Sequence, residues 1–222
     1  LVFAGSAAAL RKFFPSLQTT TTGSIVLFII YAAIVTLASA IARLVIASLA
    51  LNISPAYLIN YATTLSVGNV VGVLTIVPLF FVASPVSGWL RYFAGFTLFH
   101  WVSTLAILLT SVIVFGLEDT DKFKFFYLVF LPVLVFAIRE GFMGAAYSIL
   151  LSDTAMIAIL LWRVSEPSTA TELQLLMISL STTGLVLGAT ISERRRISLE
   201  LEESHARLRD SQAALLQASR LS

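Results

Sequence analysis

The chain has 222 residues, 58% hydrophobic and 12% charged, with a mean hydropathy of +0.95. Soluble domains carry about 25% charged residues, and eleven of the twenty-six charges here crowd into residues 193–222, which excludes a soluble globular enzyme and a disordered chain. The formal net charge of +2 is too small for a nucleic-acid surface, and the absence of cysteine removes disulfides, thiolate nucleophiles and Cys-based zinc sites.

In chain order, the sequence starts mid-pattern at Leu1, as a fragment of something longer, with a helix end over about 1–10 followed by Arg11 and Lys12. Thirty uncharged residues then separate Lys12 from Arg43. About 20 apolar residues cross a bilayer core, so a first complete span is expected near 24–51. Arg43 lies eight residues before its end at Leu51, placed either to snorkel to the outer interface or to pair inward with a carboxylate. The next uncharged run, forty-seven residues, is too long for one helix and is divided by Asn52-Ile53-Ser54-Pro55. Its second part, 61–83, contains Ser66-Val67-Gly68-Asn69-Val70-Val71-Gly72 and then Pro78. Gly68 and Gly72 share a helix face that admits a close neighbour, and Asn69 beside them offers donor and acceptor together.

A span at 94–116 follows Trp89 and Arg91 and carries His100 and Trp101 near its start; the His is expected to be interfacial. Segment 123–138 is short, contains Pro132, and reads either as a crossing or as a re-entrant element paired with 142–162. Arg139-Glu140 occupies the tight turn before Gly141, as a loop pair or as a coupling point to the last helix. Asp153 lies near the middle of 142–162, where an ionisable residue costs roughly 2.5–3.5 kcal/mol on insertion scales. It is the foremost candidate for a ligand or proton contact, with a structural inter-helix hydrogen bond as the alternative. The last span, 172–192, carries Gly184-x-x-x-Gly188, a small-residue pair suited to close packing or a dimer contact.

Beyond Ile191 the composition changes to Glu, Arg, Leu, Gln and Ala without Gly or Pro, all good helix formers. Ile197, Leu201, Leu208 and Leu215, with Ser204, Ser211 and Ala218, form a seven-residue seam, while Glu193, Arg207 and Arg209 fall outside it. Ser at two core positions makes this coiled coil marginal and able to shift. Helix from Glu172 to Leu221 would be about 75 Å long. The expectation is therefore an all-α fold: a polytopic transmembrane helix bundle over 1–192 continuing into a cytoplasmic coiled-coil signalling helix over 193–222. Arg11 and Lys12, Arg91, Arg139 and Arg194-Arg195-Arg196 fall on alternate connections, which would be cytoplasmic. The opposite connections are Asn52–Asn60, the acidic stretch Glu118-Asp119-Thr120-Asp121-Lys122, and the 163–172 loop. Tyr57, Tyr61 and Trp162 suit the outer interface.

The ordered motifs resemble a known family. SVGNVVGVLTIVPLFF resembles the signature stretch of the first type of MASE domain, a membrane-associated sensor of bacterial signalling proteins. FLPVLVFAIREGFMGAAYSILLSDTAMI resembles its Pro-containing helix, Arg-x-Gly turn and following small-residue helix, and ERRRISLELEESHARLRDSQAALLQASRLS is similar to the linker into a histidine kinase dimerisation domain. On this resemblance Gly68, Asn69, Gly72 and Pro78 fall on the core motif, and Arg139 and Gly141 on the turn. The chain departs from the pattern where Asn69 replaces an acidic residue and Thr64-Leu65-Ser66 replaces Trp. The resemblance implies a bacterial inner-membrane location and the input module of a sensor histidine kinase or, less often, of a cyclic-di-nucleotide enzyme. It also implies a homodimer and a missing output domain that would use ATP and Mg and address a response regulator. His205 lacks the context of a phosphoacceptor.

The residues themselves contain no catalytic or metal constellation, no phosphate loop and no cofactor motif. Their expected partners are the lipid bilayer and a small apolar or amphipathic ligand, not nucleic acid. The alternative is a transporter-like or partner-dependent receptor core in which Asp153 and Arg43 line a path.

Overall fold

In a computed structural model, which describes residues 21–50, 55–82, 94–116, 125, 127–163 and 167–221, the described chain is helical and contains no strand. Six helices follow in order: α1 Thr22–Ala50, α2 Pro55–Val82, α3 Leu98–Gly116, α4 Tyr127–Glu140, α5 Phe142–Arg163 and α6 Pro167–Leu221. Each expected span reappears as a helix within a few residues, except that 61–83 begins earlier and 172–192 lies within one 55-residue helix. The helix end at 1–10, Arg11, Lys12, Trp89, Arg91 and the acidic loop 118–122 lie outside the described residues. So do the side chains of Tyr57, Tyr61 and Leu215.

Local sequence sets the ends. Thr21 caps α1, its hydroxyl accepting the Ser24 backbone N–H at 3.3 Å. Pro55 and Pro167 open α2 and α6, where a missing N–H costs no helical bond. Thr97 precedes α3, and the His100 ring reaches back so that Nδ1 accepts the Thr97 N–H at 3.1 Å, as the glutamate of a capping box does.

Unlike a soluble protein, the bundle is apolar outside as well as inside. Leu27, Ile30, Ile34 and Leu37 on α1 and Leu105, Leu109 and Val112 on α3 are half exposed or more. The interior holds large apolar side chains such as Phe28, Phe136, Ile149 and Leu185 together with small residues, Ala145, Ser148 and Ser152 of α5 and Ser181 and Ala189 of α6. Lipid tails are as apolar as leucine, so helices associate by close fit of small residues. Four helices have stretches long and apolar enough to cross a membrane: Thr22–Ser48, Leu98–Phe115, Phe142–Ile159 and part of Glu172–Gln212. A shorter apolar stretch, Leu65–Leu79, lies in α2. The chain is a multi-pass membrane protein.

Helices α5 and α6 form the centre: α5 packs on α2, α3, α4 and α6, and α6 on α1, α2, α4 and α5. The 14-residue α4 is about 21 Å long, against a hydrocarbon thickness of about 30 Å. It folds back on α5 across Gly141, and Val129, Val133, Phe136 and Ala137 bury one stripe of it. Gly184 and Gly188 make close contacts within the chain. A Cβ at Gly184 would meet Ile149 and Val133, and one at Gly188 would meet Ala145 and the backbone of Gly141 and Phe142.

Candidate functional site

Two polar constructions stand out, one at the basic end of the bundle and one at mid-depth. At the basic end the termini of α1, α3, α4 and α5 reach a common level, and α6 leaves the bundle past them. Helix ends leave N–H and C=O groups without helical partners, and here α6 supplies them. Ser192 Oγ accepts the Phe142 backbone N–H at 2.9 Å, capping α5. Arg195 Nη2 donates to the carbonyls of Ile138 at 2.8 Å and Arg139 at 2.7 Å, closing the C-terminus of α4 and setting a cation on the negative end of that helix. Glu193 Oε2 accepts the Thr22 N–H at 2.9 Å, placing an anion at the N-terminus of α1, while the Thr22 hydroxyl lies 3.2 Å from Thr190 Oγ1.

Gly141 makes this clasp possible. Its φ of +67° is left-handed, which costs a Cβ-bearing residue about 1–2 kcal/mol. A Cβ there would also overlap Ser192 Oγ. Of the Arg139-Glu140 pair, it is the Arg139 carbonyl that bonds α6. The Arg139 guanidinium lies 3.9 Å from the centroid of the Phe99 ring, and Glu140 Oε1 lies 3.8 Å from His100 Nε2 and 4.0 Å from Arg139 Nε. His100 lies in the first turn of α3 at the basic end, 6% exposed. It is stacked on Phe96 at 4.7 Å, with Phe99 and Phe136 edge-on.

The second construction surrounds Asp153. It lies eleven residues along α5 from Phe142, as Ser181 lies eleven along α6 from Ser192, about 16 Å from the basic end and so near the middle of a 30 Å core. Asp153 is 1% exposed. Its Oδ2 contacts the hydroxyls of Thr75 at 2.5 Å and Ser181 at 3.2 Å, joining α2, α5 and α6. Ser111 of α3 sits eleven residues from His100, at the same depth. Asp153 Oδ1, Ser152 Oγ and Ser111 Oγ are buried without hydrogen-bond partners.

The other expected residues are dispersed. Arg43 is exposed, bonds Ser39 Oγ at 3.0 Å, and lies twenty-one residues from Thr22, about 31 Å along α1 at the far edge of the core. It does not contact Asp153. Asn69 is half-buried and stands about 120° round α2 from Thr75, away from the acid. Gly68, on the Thr75 face, gives room to Gln174, whose Nε2 would lie 3.2 Å from an added Cβ. Gly72 meets nothing within 4 Å, so its expected tight contact is absent. Pro78 is buried inside α2. Ile197, Leu201 and Leu208 are 52–58% exposed on the part of α6 that has left the bundle, and Leu215 follows on the same helix. Among the described residues no group of three or more metal-ligating side chains occurs.

Thr22, Thr75, Ser181, Ser192 and the bonding role of Arg195 were not singled out by sequence. The only signal was indirect, through polar residues at matching distances from the helix ends. The sequence model of the MASE1 family matches residues 1–195. No curated protein and no solved structure matches the chain.

Proposed function

The chain belongs to the MASE1 family of membrane-associated sensory domains, and from that premise we propose that it is the input module of a bacterial sensor histidine kinase. In this reading the basic end faces the cytoplasm, since Arg139 and Arg194–Arg196 gather there. The signal is a small apolar or amphipathic molecule, or the state of the bilayer, acting on the packing of the bundle. A ligand that favours one packing shifts the population toward it. Helix α6 carries the difference outward to a homodimeric seam at Ile197, Leu201, Leu208 and Leu215, and from there to a kinase domain that binds ATP and Mg and phosphorylates a response regulator.

The observation that carries this reading is the clasp. One helix caps the ends of α1, α4 and α5 through Glu193, Arg195 and Ser192, then continues without a break into an exposed apolar stripe. Any relative movement of those helices must be transmitted to α6 or break its bonds. Residues inserted one at a time after Arg196, below the clasp, rotate the seam by about 100° each. Autophosphorylation of the full-length parent in proteoliposomes should rise and fall with that rotation, and constant activity across one to four insertions refutes the lever.

A further inference from the structure

We propose that Asp153 is a proton-binding site: its carboxyl holds a proton while α2, α5 and α6 are packed and gives it up when they part. Thr75 has one hydroxyl hydrogen and two oxygens within bonding distance, the Val71 carbonyl at 2.8 Å and Asp153 Oδ2 at 2.5 Å. If that hydrogen goes to Val71, the bond a threonine ordinarily makes inside a helix, the hydrogen between Thr75 and Asp153 belongs to the carboxyl. The chain then runs from Asp153 Oδ2–H to Thr75 Oγ1–H to the Val71 carbonyl, with the Ser181 hydroxyl donating to Oδ2.

An ionised carboxylate fits less well. It offers about four acceptor sites, yet both hydroxyls address Oδ2, and Oδ1 is buried with no donor. An unpartnered carbonyl oxygen of a neutral acid is a modest cost; a bare anionic oxygen in a dry interior is a large one. Among the described residues no cation compensates. Helix α2 contains no charged residue, and its Tyr57 and Tyr61 lie fourteen residues or more from Thr75. On α5, Arg163 is ten residues from Asp153, and Tyr147, six residues away, bonds Thr104 at 3.3 Å. His100 of α3, Arg139 and Glu140 of α4 and Glu172 of α6 sit toward the bundle ends, as do Tyr127 of α4 and Arg43 of α1.

Release requires water. When α2 or α6 moves off α5, the carboxyl O–H bond breaks with its electron pair left on Oδ2, and the proton passes to an entering water. Rearrangement of the bundle is thereby linked to proton uptake and loss, which deepens the sensory reading and rests on it.

The test is infrared spectroscopy of the chain in lipid nanodiscs, unlabelled and with 13C-aspartate. At neutral pH a carboxylic-acid C=O band is expected that shifts with the label, disappears in Asp153→Asn and moves to higher frequency in Thr75→Val. Gly188→Ala, which wedges α6 from Ala145 on α5, should speed deuterium exchange of the band. Carboxylate bands alone at neutral pH, a band indifferent to both Asp153 and Thr75, or an exchange rate unmoved by the wedge overturns the proposal. If Asp153→Asn does not fold, the isotope and Thr75→Val shifts decide the assignment. A present band with a flat insertion series would sink the lever and leave the proton site standing.

Discussion

Replacing Gly141 by alanine puts the clasp under a measurable load. The left-handed backbone at φ +67° costs alanine about 1–2 kcal/mol. The new Cβ overlaps Ser192 Oγ and forces that hydroxyl off the Phe142 N–H it caps at 2.9 Å; losing a helix cap costs about 0.5–2 kcal/mol. Together these predict a destabilisation of about 2–4 kcal/mol. At about 2–4 °C per kcal/mol for a domain of this size, the drop in thermal midpoint in nanodiscs is roughly 5–15 °C. Ser192→Ala alone should cost about 1 kcal/mol. The double variant should fall short of the sum by a similar amount, because the overlap with Oγ is gone and the two residues touch. A Gly141→Ala variant within about 0.5 kcal/mol of the parent, or strict additivity with Ser192→Ala, refutes the clasp as an energetic unit.

Two further outcomes are expected. Glu193 is the first residue past the expected span 172–192, and hydrogen bonds from the Thr22 hydroxyl and backbone N–H, with Arg196 nearby, hold its carboxyl below the usual carboxylate range. A depressed value means that the bond is present at neutral pH and lost as pH falls through that lowered value. Protection of the Thr22 amide from hydrogen exchange, corrected for intrinsic rates, should therefore persist through the ordinary carboxylate range and fail only below it. Loss within the ordinary range, or an unchanged profile in Glu193→Gln, contradicts the bond. The chain has no cysteine, so single introduced thiols report pairing directly: in the full-length parent, Leu201→Cys and Leu208→Cys should cross-link several-fold more than Leu199→Cys. Equal yields at the three positions contradict the seam.

Much of the fold was legible because lipid leaves a coarse signature. Charge-free runs gave the spans to within a few residues, and the absence of Gly and Pro after Ile191 gave the continuous exit helix. Asp153 was legible because a carboxyl in an apolar run is costly wherever it points. Its partners were not, since Thr75 and Ser181 resemble the many hydroxyl residues that bond their own helix carbonyls, as Thr36 and Thr110 do at 2.7 Å. Ser192 and Arg195 were hidden differently. In sequence they mark the end of a span and a run of positive charge, and only the return of the α4–α5 turn to the level of α6 gives them carbonyls and an N–H to bind. The Gly184–Gly188 spacing was visible, but spacing alone does not tell whether the neighbouring helix belongs to the same chain.

The clasp also orders biosynthesis. The α4–α5 hairpin is translated before α6, so the open ends of those two helices wait at the bilayer surface until Ser192 and Arg195 emerge from the ribosome. Helix α6 is then the step that closes this bundle, and a nascent chain cut before it should be a substrate for quality-control proteolysis.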